Sequence, residues 1–134
     1  MIYLKLFFVT LAVLLITDMV WLGLIAKNLY FKTYGDWLNI QNGQLQPVWW
    51  AAALVYFFLV MSILIFVLPL ANGSLVSALI YGAIMGAITY GVYDFTCLAI
   101  YKNWPIGMSF VDWIWGTFLC AFSSMVTVYF SRLL

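Results

Sequence analysis

Four long runs of apolar residues, each closed by polar or turn-forming residues, set the plan of this chain. They cover about 4–26, 48–68, 75–100 and 109–130. A bilayer core of about 30 Å takes roughly 20 helical residues to cross, so each run is long enough to span. The runs are continuously apolar and do not alternate, which predicts helices and not the strands of a membrane barrel. Their ends carry the expected punctuation: Lys27-Asn28, Pro47, Pro69 with Asn72-Gly73-Ser74, and Lys102-Asn103-Trp104-Pro105. The pattern predicts an all-α polytopic membrane protein. One domain over 1–134 holds four spans, with an interfacial segment at about 27–46. The first run is too long for a cleaved leader and carries Asp18 within it.

Composition agrees, with 68% hydrophobic and 7% charged residues and a mean hydropathy of +1.14. Four spans put both termini on one side, with the uncharged loop around Pro69 to Ser74. The other side carries Lys27, Lys32 and Lys102 against Lys5 and Arg132. That charge difference leans toward cytoplasmic placement of the lysine-bearing loops.

The polar exceptions inside the spans are more telling. Three of the four acidic residues, Asp18, Asp94 and Asp112, lie in or at the edge of apolar runs. At 1.5 Å of rise per residue they sit roughly 12, 9 and 5 Å below the face that holds Lys27 and Lys102. A carboxylate in hydrocarbon costs at least about 2.5–3.5 kcal/mol, so three in one leaflet require shared polar surroundings or a function. No lysine or arginine lies within a span beside them. If the first and third helices face each other, Asp18 and Asp94 are placed to share a proton. Each also has a structural reading. Ser109-Phe110-Val111-Asp112 fits a capping box, and Asp94 stands near Tyr90, Tyr93, Thr96 and Cys97 as interhelical glue.

Aromatic residues crowd the same leaflet. All seven tryptophans fall there, namely Trp21, Trp37, Trp49, Trp50, Trp104, Trp113 and Trp115, with Tyr30, Tyr34, Tyr93 and Tyr101. An interfacial belt accounts for Trp37, Trp104 and Tyr101, but a belt has two sides and the opposite one offers only Tyr3 and Tyr129. The excess points to an aromatic pocket. The polar segment 27–46, with Tyr30, Phe31, Tyr34 and Trp37, suits a structure lying over that end: an interfacial loop or a lid, with a short helix broken at Gly35 and Gly43.

In the third span, Gly82, Ala83, Gly86, Ala87 and Gly91 form a small-residue face for close helix approach. Packing inside one chain is the favoured use, and a homodimer through these residues is the other. The first and third spans share a faint likeness, Asp18 with Leu22 and Lys27-Asn28 against Asp94 with Leu98 and Lys102-Asn103, too short to separate a duplication from chance.

Absences narrow the chemistry. There is no histidine or glutamate, which disfavours haem, iron and zinc sites, so no cofactor or metal is expected. Cys97 and Cys120 read as buried packing thiols. No nucleotide loop or nucleophile elbow is present, and five basic residues give no nucleic-acid footprint.

The stretches Tyr90-Gly91-Val92-Tyr93-Asp94-Phe95-Thr96-Cys97, Asn103-Trp104-Pro105 and Asp112-Trp113-Ile114-Trp115-Gly116 carry a resemblance, together with the Thr17-Asp18-Trp21 region. Over the whole chain the sequence resembles a small family of bacterial four-helix membrane proteins of unknown function. That resemblance implies residence in the bacterial inner membrane. It supplies no activity, cofactor or catalytic residue, and this chain has Cys97 where the family pattern has asparagine.

Two functions are expected from these residues. The first is binding or transport of a small amphipathic or lipid-like ligand at a site built from Asp18, Trp21, Tyr90, Tyr93, Asp94, Asp112, Trp113 and Trp115, with membrane lipids as the surroundings. The second is an intramembrane enzyme using Asp94 and Asp18 as acid and base on a lipid or isoprenoid-like substrate, with Asp112 positioning. An accessory subunit of a larger membrane complex is the third alternative.

Overall fold

The computed structural model describes all 134 residues. Four helices are long and apolar enough to cross a membrane: α1 (Ile2–Ile25), α3 (Trp49–Ala71), α4 (Leu75–Ile100) and α5 (Ile106–Leu133). Between the first two lie a short helix α2 (Lys27–Tyr34) and a hairpin of β1 (Ile40–Gln41) and β2 (Gln44–Leu45). Helices dominate because an unpaired backbone group in hydrocarbon costs several kcal/mol, and a helix pairs its groups internally. Outward positions are large and apolar, such as Phe8, Ile16, Phe58, Ile88 and Ile114, as a lipid-facing surface requires.

α5 is the central element, packed along α1 on one side and α4 on the other. Its contact with α4 depends on missing side chains. A Cβ on Gly82 would stand 2.5 Å from Ser124 Oγ, and one on Gly86 would stand 2.6 Å from the Gly116 carbonyl oxygen. The small-residue face of the third span is therefore filled by the fourth span of the same chain. Trp113 ties the same pair of helices, its Nε1 donating to the Ala87 carbonyl at 2.8 Å.

Three boundaries differ from the sequence expectation. α3 runs through Pro69 to Ala71 and does not stop before it. A widened π turn at Ile63–Val67 ends two residues before the proline and accommodates its ring and missing N–H, which an unbroken α ladder could not. α5 starts at Ile106 behind Pro105, so Ser109 lies inside the helix, donating its Oγ to the Pro105 carbonyl at 2.7 Å. The capping-box reading of Asp112 is thereby corrected: an early proline fixes the helix start one turn sooner. The polar segment also holds a hairpin beyond Gly35 where a broken helix was expected. Asn42 and Gly43 both take positive φ (53° and 74°), as a two-residue primed turn requires. Asn39 closes its base, the Nδ2 donating to the Gln46 carbonyl at 2.7 Å.

The half of the bundle away from the lysine-bearing loops is solid. Leu6, Leu14, Ile63, Val67 and Leu119 pack there and toward the middle, all nearly inaccessible. One buried polar contact crosses it, Thr10 Oγ1 to Thr127 Oγ1 at 2.8 Å, with each hydroxyl also beside the carbonyl four residues back. One hydroxyl must donate to its own helix and the other across to it, since each has a single proton. Interhelical hydrogen bonds in membranes average about 0.6 kcal/mol in double-mutant cycles. A Thr10→Val, Thr127→Val cycle is expected to give a coupling of about that size by steric-trap unfolding. A coupling near zero would show that the contact does not hold α1 to α5.

Candidate functional site

Asp18 lies two-thirds along α1 and is 7% exposed. Both oxygens are occupied: Tyr56 of α3 donates its hydroxyl to Oδ2 at 2.5 Å, and Trp115 of α5 donates its Nε1 to Oδ1 at 2.9 Å. One carboxyl thus joins three helices. Directly after it, α1 widens into a π turn over Trp21–Ile25, where Ala26 N–H reaches back five residues to the Trp21 carbonyl at 2.7 Å. Such a turn re-aims the side chains that follow, and it is a frequent mark of functional sites in helices. Here the Trp21 ring stacks flat on Trp115 at 4.5 Å and 9°.

From Trp21 the contacts continue to the second carboxyl. Trp21 Nε1 donates to the Tyr30 hydroxyl at 3.2 Å, and Tyr30 donates to Asp112 Oδ1 at 2.7 Å. Tyr30 stands on α2, outside the spans. Burial, then the Asp112 charge, raises its phenol above the ordinary tyrosine range, which keeps the proton that it donates. Asp112 therefore holds down the covering segment and does not cap its own helix.

Asp94 is 1% exposed, and no hydroxyl, amide or cationic donor reaches either of its oxygens. The group beside it is the Asp112 carboxyl, with which it is placed to share a proton. Pairing of Asp18 with Asp94 is not what the fold provides: α5 lies between their helices, and Asp18 is taken up by Tyr56 and Trp115. The juxtaposed carboxyls are Asp94 and Asp112.

Between Asp18 and Asp112 lies a cavity of about 230 Å³. Its walls are Asp18, Leu22, Tyr30, Phe31, Leu38, Leu45, Tyr90, Asp112 and Trp115. Four of these, Tyr30, Phe31, Leu38 and Leu45, come from the segment between α1 and α3, which covers the cavity from the lysine-bearing side. The cover is anchored by rings, with Tyr34 and Trp37 packed on Trp104 at 5.1 and 4.9 Å, and Tyr101 also against it at 5.3 Å.

With the geometry in place, comparison with known sequences adds a family. The sequence model described as "Predicted membrane protein (DUF2177)" matches residues 3–129. The chain belongs to this family. No curated protein and no solved structure gave a match. The matched DUF2177 region takes in the three aspartates of the spans, Asp18, Asp94 and Asp112, and every wall of the cavity.

Of the expected site residues, the structure brings Asp18, Tyr90, Asp112 and Trp115 to one cavity. Trp21 stands behind it, stacked on Trp115. Asp94 adjoins Asp112 without lining the cavity, Tyr93 is 58% exposed on the outer surface, and Trp113 is fixed to Ala87. Tyr56 was missed by sequence reasoning. Its signal was the one hydroxyl-bearing aromatic within the second span, which in hydrocarbon demands a partner. Leu22, Leu38 and Leu45 carried no signal, since an apolar wall is indistinguishable from an apolar core until the cavity is seen.

Proposed function

We infer that this chain, an integral, multi-pass membrane protein, binds a small amphipathic or lipid-like ligand from one side, in the bacterial inner membrane, through the covered cavity between Asp18 and Asp112. The cavity carries this reading, because it joins polar groups to aromatic and apolar walls, the usual composition of a small-molecule site. At about 230 Å³ it is below the roughly 300–1,000 Å³ of drug-sized pockets, so it suits a head group with the start of a chain and not a whole lipid. Binding is favoured over channel-like transport by the packed half around Leu6, Leu14, Ile63 and Val67, where even the polar side chains Thr10, Ser123, Ser124 and Thr127 are inaccessible. Acid–base catalysis is the second reading, and the buried Asp94 carboxyl set against that of Asp112 is the observation that favours it.

Native mass spectrometry of protein released from its own membrane tests the binding reading. The wild type is expected to carry a stoichiometric small molecule, and Leu45→Trp, which adds bulk to a cavity wall without touching a carboxyl, is expected to lose most of it. Equal retention by both would place the molecule elsewhere and overturn the reading.

A further inference from the structure

The walls of the cavity also specify the charge of what it accepts. Two carboxyls face it, and no lysine or arginine lines it. The strong donors nearby already point at those carboxyls, Trp115 Nε1 at Asp18 and the Tyr30 hydroxyl at Asp112. What remains is acceptor capacity on the carboxyls, set among the aromatic side chains of Tyr30, Phe31, Tyr90 and Trp115 that line the cavity with them. Carboxyl acceptors within an aromatic lining are the chemistry that holds an ammonium group. Phe31 already binds one cation by its face, with Lys27 Nζ 5.6 Å from its ring centre. Behind the wall Asp94, 1% exposed, adjoins Asp112, so a third carboxyl backs the same site, and no lysine or arginine side chain bonds to any of the three.

We propose that the ligand is an amphiphile with a cationic ammonium head, seated between Asp18 and Asp112 with its chain along Leu22, Leu38 and Leu45. This rests on the binding reading above and adds the sign of the head group. An anionic head is repelled by both carboxyls, and a neutral hydroxyl head forms hydrogen bonds but leaves them without a counter-charge.

The test is thermal stabilisation of the full chain in a neutral maltoside detergent by four probes that share one tail: octylammonium, octyltrimethylammonium, octanol and octyl sulfate. Either cation is expected to raise the melting temperature with an affinity at least tenfold above octanol, with no effect of octyl sulfate. Asp18→Asn and Asp112→Asn, which keep the acceptors that Trp115 and Tyr30 use, are each expected to weaken the cations at least tenfold and leave octanol unchanged. Preference for octylammonium over the trimethyl form would assign recognition to N–H donation to the carboxyls. The reverse preference would assign it to the aromatic faces, and both support the proposal. Equal binding of octanol and the cations, or tighter binding of octyl sulfate, would overturn the charge assignment while leaving the binding reading intact. Silence from all four probes would remove both.

Discussion

Gly116→Ala is expected to cost about 3 kcal/mol, the upper end of ordinary overpacking in a well-filled interior. A Cβ at this position would fall within the Tyr90 ring, onto the carbons at its base and not its tip, so a rotation of the outer ring atoms gives no relief. Retreat of the backbone is blocked as well, because α4 and α5 touch through Gly86 and the Gly116 carbonyl, where 2.6 Å would separate that oxygen from a new Cβ. The matched control is Gly107→Ala on the same helix, where a Cβ meets nothing within 4 Å. That variant is expected to melt within about a degree or two of wild type, as an exposed helical glycine replaced by alanine neither clashes nor loses packing. Fluorescence-detected size exclusion after a heating series reads both. Pairing Gly116→Ala with Tyr90→Ala opens the space and is expected to recover most of the melting temperature. Failure of that rescue would mean that the clash is not with Tyr90.

Asp18 carries the second large effect. Its loss leaves two buried donors without acceptors, Tyr56 hydroxyl and Trp115 Nε1, in surroundings with little water to replace it. Asp18→Ala is expected to destabilise the bundle by about 2 kcal/mol, within the roughly 1–3 kcal/mol cost of leaving buried donors unpaired, and to free the Trp115 ring from its stack on Trp21. Asp18→Asn behaves differently. The amide oxygen can accept from Trp115 while its NH₂ donates to the Tyr56 oxygen, so the fold is expected to hold within about 0.5 kcal/mol. Both variants are expected to lose the cavity's ligand by tenfold or more, which is about 1.4 kcal/mol of binding. Near-ultraviolet circular dichroism reports the Trp21–Trp115 stack: it is expected to change with alanine and persist with asparagine. Equal stability of the two variants would contradict the account of Asp18 as a double acceptor.

These two positions also show how far the sequence could be read. Crossing a bilayer imposes length and apolarity on every helix, so the four spans are legible from runs of residues alone. The depth of Asp18, Asp94 and Asp112 is equally legible, because rise per residue is constant in a helix. Which aspartate faces which is a matter of helix order in space, and apolar helices carry almost no signal for it. The small-residue face of α4 gives the close approach but not the partner, and α5 takes it, separating Asp18 from Asp94. Local turn chemistry carries the hairpin, since Asn42-Gly43 is a primed-turn signal, but the aromatic and polar mixture around it reads equally as an interfacial loop or short helix. The π turns at Trp21–Ile25 and Ile63–Val67 have no composition of their own, although the second precedes a proline that the helix had to absorb. Asp112 was drawn to a capping role by Ser109, because the earlier start at Pro105 makes a weaker pattern than the box itself.

The central claim is that the covered cavity between Asp18 and Asp112 is where this protein holds its ligand. A photoreactive alkyl amphiphile, with its diazirine a few carbons from the head, tests it most directly when crosslinked to protein in native membranes and mapped by peptide mass spectrometry. Adducts are expected on Leu22, Phe31, Leu38, Leu45 and Tyr90, and competed by unlabelled compound. Adducts confined to the lipid-facing groove at Leu15, Ile16, Met19, Val20 and Leu24, or spread without competition over all four spans, would contradict it.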